Sequence, residues 1–168
     1  MKQMIFEFNS AKCISCGACT VACMDQNDID PESQVPFRHV QTIEKVENDK
    51  MTFTNISLAC MHCSDAPCVQ ACPTGCLGKD ADTGLTVYDN SKCIGCHSCM
   101  MACPFGAPTF TPQGKMTKCN GCITRLENGL EPACVRVCPF DALKLIPVED
   151  AFENRWNSIM RRIEAMAK

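Results

Sequence analysis

The sequence predicts an α+β fold of short strands and helices organised around metal and closed by a C-terminal amphipathic helix. Three observations predict it. Four cysteine runs repeat along the chain, short β-rich segments separate them, and an apolar stripe at helical spacing ends it. Ordinary apolar packing is thin: the 46% hydrophobic fraction includes 17 cysteines, with only 8 Phe, 1 Tyr and 1 Trp. A chain of 168 residues with so small a core needs cross-links, either disulfides or metal.

The clearest run is Cys93, Cys96, Cys99 and Cys103, followed by Pro104. Its spacing, C-x2-C-x2-C-x3-C-P, holds [4Fe–4S] cubanes in bacterial ferredoxins. Three thiolates two residues apart on a Gly-containing loop converge on three corners of one iron cube. The fourth begins a helical turn, points away, and in two-cluster ferredoxins ligates the other cluster. Pro104 fixes φ and stops that turn from continuing.

Taken in order, residues 5–8 read as a strand leading to the first run, Cys13, Cys16, Cys19 and Cys23, where Met24 stands in place of the trailing proline. Residues 25–50 are polar, contain Pro31 and Pro36, and read as a surface excursion in which His39 is solvated. Residues 51–58 alternate partially and predict a strand. It delivers the chain to Cys60, Cys63, Cys68 and Cys72, with Pro73 following. A turn at 80–84 precedes a strand at 85–88, and Pro112 and Gly114 mark a hairpin over 109–117.

The last run is Cys119, Cys122, Cys134 and Cys138, followed by Pro139; residues 123–133 are an insertion that must loop out and return. Residues 143–146 close as a strand. Aligning the residues after runs two, three and four sets Cys76 opposite Ala107 and Ala142, so the seventeenth cysteine reads as a small buried packing residue. From Val148 onward, Phe152, Trp156, Ile159, Met160, Ile163 and Met166 recur at helical spacing. Glu149, Asp150 and Glu153 come early and Arg161, Arg162 and Lys168 late, as the helix dipole favours.

Composition narrows the chemistry. A net charge of −3 and a pI near 5.6 argue against a nucleic-acid surface. No apolar run of about 18 residues predicts a membrane span. The N-terminus shows no apolar h-region, cleavage site or twin arginine, so the chain is expected to be cytoplasmic and its cysteines to bind metal rather than pair. Zinc sites use paired C-x2-C units, whereas triplets of cysteines suit a cubane. Sixteen of the 17 cysteines divide into four sets. With four thiolates per cluster no iron is left open to substrate, and no triad, phosphate loop or carboxylate pair is present, so no catalytic site of its own is expected. Exchange of fourth ligands requires the runs to pair, and spacing leaves first-with-fourth and first-with-second both open.

From Lys12 to Ile146 the chain resembles the iron–sulfur electron-transfer subunits of the dimethyl sulfoxide reductase group of molybdenum and tungsten oxidoreductases. The features that carry this are Lys12-Cys13-x2-Cys16 with Cys23, Val35-Pro36-Phe37-Arg38, Cys60-x-His62-Cys63-x3-Pro67-Cys68, Met101-Ala102-Cys103-Pro104-Phe105-Gly106-Ala107-Pro108, and Met116-Thr117-Lys118-Cys119-x2-Cys122. It is also similar to small polyferredoxin subunits of tungsten aldehyde oxidoreductases and of formate and hydrogenase systems. Cys76 departs from the pattern, which has Ala there.

The resemblance implies four [4Fe–4S] clusters in a line and pairing of the first run with the fourth and the second with the third. It thereby implies Cys13, Cys16, Cys19 and Cys138 on one cluster, and Cys23, Cys119, Cys122 and Cys134 on another. Cys60, Cys63, Cys68 and Cys103 would hold a third, and Cys72, Cys93, Cys96 and Cys99 the fourth. Two ferredoxin-like modules follow, residues 1–57 with 110–147 and residues 58–109, with a docking helix at 148–168. His62 and His97 lie inside ligand loops and are expected to tune clusters through hydrogen bonds.

The implied function is single-electron transfer between a molybdenum- or tungsten-pterin catalytic subunit and another redox subunit, in a hetero-oligomer. A free-standing polyferredoxin, a hydrogenase or formate system and, more remotely, a zinc scaffold are the alternatives.

Overall fold

The computed structural model describes residues 3–166, so the late charge of Lys168 lies outside the described residues, as do 1, 2 and 167. In chain order the elements are β1 (Met4–Phe8), α1 (Ala18–Gln26), β2 (His39–Glu47), β3 (Lys50–Leu58), α2 (Pro67–Gln70), β4 (Leu77–Lys79) and β5 (Thr86–Tyr88). Then follow α3 (Ser98–Ala102), β6 (Thr109–Phe110), β7 (Met116–Thr117), α4 (Ile123–Glu127), α5 (Ala133–Arg136), β8 (Leu143–Pro147) and α6 (Val148–Met166). Strand and helix are mixed, and the strands form four separate two-stranded antiparallel sheets.

One sheet joins the two ends of the cysteine-bearing region. β1 pairs with β8, Met4 opposite Pro147 and Phe8 opposite Leu143, and α1 packs on α5. The first and fourth runs are therefore neighbours despite being the farthest apart in sequence. Leu143, Cys19 and Cys134 form a buried core there, with Phe6, Phe8, Val40 and Val135 against it. A second core holds Ala66, Cys68, Cys76, Leu77, Cys93, Cys99 and Met116, and so gathers the second and third runs. Tyr88 and Phe110 pack on it, which places the β6–β7 hairpin with this core.

The polar stretch before residue 50 contains a strand that its composition hid. β2 pairs with β3 over nine residues, and the turn between them, Asn48-Asp49, has both residues at positive φ, 51° and 60°. That is the geometry a two-residue hairpin turn needs, and Asn and Asp tolerate it better than other side chains. At its base Asn55 donates to the Cys13 carbonyl at 2.5 Å and Thr42 donates to the Ser15 hydroxyl at 3.0 Å, pinning the hairpin on the first cysteine loop. His39, at the start of β2, is exposed.

The insertion in the fourth run folds compactly. α4 ends at Glu127, Arg125 Nε holds the Glu131 carbonyl at 2.7 Å, and Pro132 then caps α5. α6 leaves β8 with its first amide, Val148, donating to the Gln3 carbonyl at 2.8 Å. None of its described residues is buried: Phe152 is 70% exposed, Trp156 63% and Ile163 53%. The apolar stripe is not folded back onto the cysteine-bearing body.

Candidate metal centre

Each run is shaped by a loop followed by a short helix. In the first and third, the residue before the helix is left-handed, Gly17 at φ 76° and His97 at φ 63°, and Cys19 and Cys99 sit in the first turn. In the second and fourth, a proline marks the helix start, Pro67 as the first residue of α2 and Pro132 as the N-cap of α5, and Cys68 and Cys134 follow in the first turn. Gly121 is forced: at φ +75° its absent Cβ would lie 2.6 Å from Leu85 Cδ1, so the fourth run's loop presses directly on β5's flank.

None of the seventeen cysteines is in a disulfide, and only Cys16 and Cys96 are exposed. Cys13, Cys16, Cys19 and Cys138 line one cavity, with Ile14, Val40 and Leu143. Cys72, Cys93, Cys96 and Cys99 line another, with Cys76, Leu77, Phe110 and Met116. Cys23 lies among Cys134 and Cys122; burial first, then those thiols, push its pKa up to about 12. Burial likewise raises Cys68, whose thiol neighbours are Cys60 and Cys103.

Among the described residues no three Cys, His, Asp or Glu side chains converge on a single-ion point. The thiols of the two outer groups are spread around cavities, as a cube requires, because each thiolate binds a different corner. Such buried thiols ionise only against strong positive charge, which cluster iron supplies. The donor set fits [4Fe–4S] groups.

Amide and hydroxyl groups already point at the sulfurs. Gly121 N donates to Cys119 Sγ at 3.4 Å, Ser15 N to Cys13 Sγ at 3.5 Å, Met116 N to Cys93 Sγ at 3.3 Å and Ala142 N to Cys138 Sγ at 3.2 Å. Donors to sulfur are one of the levers that set cluster potential. Ser57 Oγ lies 3.5 Å from Cys19 Sγ. At Cys72, burial raises the pKa, but hydrogen bonds from Leu77, Thr74 and Cys76 outweigh it and bring the thiol down to about 7.

The two histidines of the ligand loops differ. His62 is 3% exposed; burial, then Lys118, Lys79 and Arg38, push its pKa down to about 3, so the ring is neutral. His97 is exposed and stacks on Phe110, ring centroids 3.8 Å apart, at the edge of the cavity that Cys96 lines. Cys76 is 4% exposed and its pKa is pushed up to about 11, by burial and then by Cys93 and Cys72.

Two further side chains at the site were not singled out from sequence for a role. Lys118 is completely buried, its Nζ donating to the Thr86 and Cys119 carbonyls at 2.7 Å each and lying 3.8 Å from Cys60 Sγ. Arg38, 3% exposed, donates from Nη1 to Ser57 Oγ at 3.1 Å and stands beside Cys23 and Cys134. Both occur in the stretches that carry the family resemblance. For Lys118 its place next to Cys119 was the available signal; Arg38, distant from every cysteine in sequence, had none of that kind.

Four cysteine runs folded into two cores, with donors aimed at sulfur, define a ferredoxin-type iron–sulfur protein. Models of the 4Fe–4S dicluster domain match residues 12–76 and 51–147. The chain is 42% identical to the thiosulfate reductase electron transfer subunit of Salmonella typhi over 92% of its own length and 81% of that protein's. It is 38% identical to a subunit of the anaerobic dimethyl sulfoxide reductase of Haemophilus influenzae, over 89% of its own length and 77% of that subunit's. With the formate dehydrogenase iron–sulfur subunit of Wolinella succinogenes identity is 37%, over 82% and 78%. The chain belongs to this 4Fe–4S dicluster family of iron–sulfur electron-transfer subunits. Its cofactors are four [4Fe–4S] clusters. No helix among the described residues is long and apolar enough to cross a membrane.

Proposed function

We propose that this chain is the non-catalytic electron conduit of a molybdenum- or tungsten-pterin oxidoreductase, working in a cytoplasmic hetero-oligomer. Cys13, Cys16, Cys19 and Cys138 hold the first cluster; Cys23, Cys119, Cys122 and Cys134 the second. Cys60, Cys63, Cys68 and Cys103 hold the third, and Cys72, Cys93, Cys96 and Cys99 the fourth. Two modules carry them, the first and fourth runs in one and the second and third in the other. The bounds proposed for them are residues 1–57 with 110–147 and residues 58–109, with Phe110 and Met116 packing across onto the core of the second and third runs.

The order of the sets supports a line. Cys19 neighbours Cys23 and Cys134, Cys119 neighbours Cys60, and α2, which carries Cys68, packs on α3, which carries Cys99. The observation that carries the reading is that Cys16 and Cys96, the two exposed cysteines, belong to the first and last sets of that order. Clusters bound here supply one-electron transfer; the protein's residues hold them apart from solvent in the middle and near it at both ends. His62 donates to sulfur at the junction of the modules, and His97 tunes the outermost set by packing at its rim.

The relatives are named as subunits of thiosulfate, dimethyl sulfoxide and arsenate reductases and of formate dehydrogenase, and the assembly is proposed by analogy with them. Anaerobic purification of the native protein under gel filtration tests it: a co-eluting pterin-bearing subunit is the expected result. Elution as a free monomer would favour the polyferredoxin alternative.

A further inference from the structure

Lys118 and Arg38 are buried cations without an anionic side chain. Among the described residues the single ion pair is Lys92 with Asp89, on the surface. Lys118 Nζ has two carbonyls as hydrogen-bond partners, and its third direction faces Cys60 Sγ. Arg38 holds Ser57, lies 5.9 Å over the Phe6 ring, and leaves Nε with no partner. Lys79, more exposed, donates to the His62 and Gly84 carbonyls at 3.2 and 2.9 Å and has the thiols of Cys63, Cys60 and Cys68, and the Lys118 ammonium, as its neighbours.

A buried cation is strongly unfavourable unless an opposite charge compensates it. No carboxylate does so here, whereas a [4Fe–4S] group held by four thiolates is an anion. The three cations stand directly beside sulfurs of the two inner sets: Cys60, Cys63, Cys68 and Cys119 for the lysines, Cys23 and Cys134 for Arg38, which meets the first set only through Ser57, 3.5 Å from Cys19 Sγ. Lys12 and Lys115, near the outer sets, are exposed and screened by solvent.

We propose that Lys118 and Arg38, with Lys79 as an outer member, form an internal cationic shell that compensates the charge of the two inner clusters and raises their reduction potentials. Reduction adds a negative charge to a cluster, and a fixed neighbouring cation favours the reduced form. The shell therefore keeps the middle of the line from becoming an uphill step for the electron. These are positioning residues, acting on potential rather than taking part in transfer.

The inference rests on the ligand sets proposed above, and one experiment separates the two. The anaerobically purified full chain is titrated redox-wise and followed by electron paramagnetic resonance, wild type against Lys118→Met, Lys118→Arg, Arg38→Met and Lys79→Gln. Iron and sulfide content and the four reducible components of the wild type test the ligand sets. The shell is supported if the neutral variants keep their iron and lower the midpoint of one or both inner clusters. The expected change is on the order of tenfold in the reduction equilibrium, about 59 mV for one electron. Lys118→Arg should restore the wild-type value. Unchanged midpoints, or an equal shift of all four components, would overturn it. Should Lys118→Met or Arg38→Met lose iron, Lys79→Gln decides: a lowered midpoint of a single component supports the shell, and no shift sinks it.

Discussion

His62 Nε2 lies 3.5 Å from Cys119 Sγ and is the nitrogen that carries the proton. The tautomer follows from the other side of the ring, where Nδ1 accepts the Thr86 amide at 3.0 Å and cannot itself be a donor. A residue of the second cysteine run thus hydrogen-bonds a thiol of the fourth, across the junction of the two cores. Donation to a ligand sulfur stabilises added negative charge, so His62→Phe should lower the midpoint of the cluster that Cys119 holds and leave its iron in place. Because the ring is neutral, the shift should be the same at pH 6 and pH 8. A midpoint unchanged in the variant would remove His62 from the tuning role.

Anaerobically purified protein should contain about sixteen iron and sixteen sulfide, four of each per cubane. Elemental analysis with visible absorption checks this. Stoichiometric zinc without sulfide would leave a scaffold in place of a conduit.

Cys76 lines the same cavity as Cys72, Cys93, Cys96 and Cys99, but it lies outside the four repeated cysteine runs, at a position where the other runs carry Ala107 and Ala142. Cys76→Ala should therefore keep the full iron content, and Cys72→Ala should lose or convert one cluster. Loss of iron from Cys76→Ala would make the seventeenth cysteine a ligand and displace one of the four assigned here.

What the sequence made legible was the chemistry and most of the strands that carry it. The cysteine spacings, the strands ending at Phe8 and Leu58, the hairpin around Pro112 and the closing strand are all local patterns. β2 was hidden because a strand that is mostly exposed on both faces shows no apolar alternation; only Asn48-Asp49 signalled its turn. β4 is three residues long, too short to leave a pattern. Lys118 and Arg38 were opaque for a different reason. Charge reads as a solvated face unless its surroundings are known, and their burial depends on β7 and the β2–β3 hairpin closing over sulfurs far away in sequence. The Nδ1–Thr86 contact that fixes the His62 tautomer spans 24 residues and is equally non-local.

Removing the metal should remove the fold. The two buried cores are small, and six of their ten buried members are cysteines. Ordering the chain costs roughly 1.5 kcal/mol per residue, which burial on this scale does not offset. Metal binding to sites spanning Cys13 to Cys138 couples directly to folding. Anaerobic chelation of iron should abolish cooperative thermal unfolding and collapse the circular dichroism spectrum. A native-like spectrum in the apo form would refute the coupling.

The last prediction concerns α6. Phe152, Trp156, Ile159, Ile163 and Met166 present an apolar stripe to solvent, with Trp156 63% and Met166 87% exposed. Fully burying one such side chain is worth about 1.5–3 kcal/mol, so several together could contribute much of a docking energy. The alternative cover is the protein's own body, and there the main packing of α6 is against β1 and β8 at its root. A substitution halfway along the helix therefore tests partner binding without disturbing the clusters. Trp156→Asp should keep iron content, spectra and thermal stability at wild-type values while the partner subunit is lost on gel filtration. If instead the clusters are destabilised and the complex still forms, the stripe packs on its own modules in solution and the docking role of α6 is wrong.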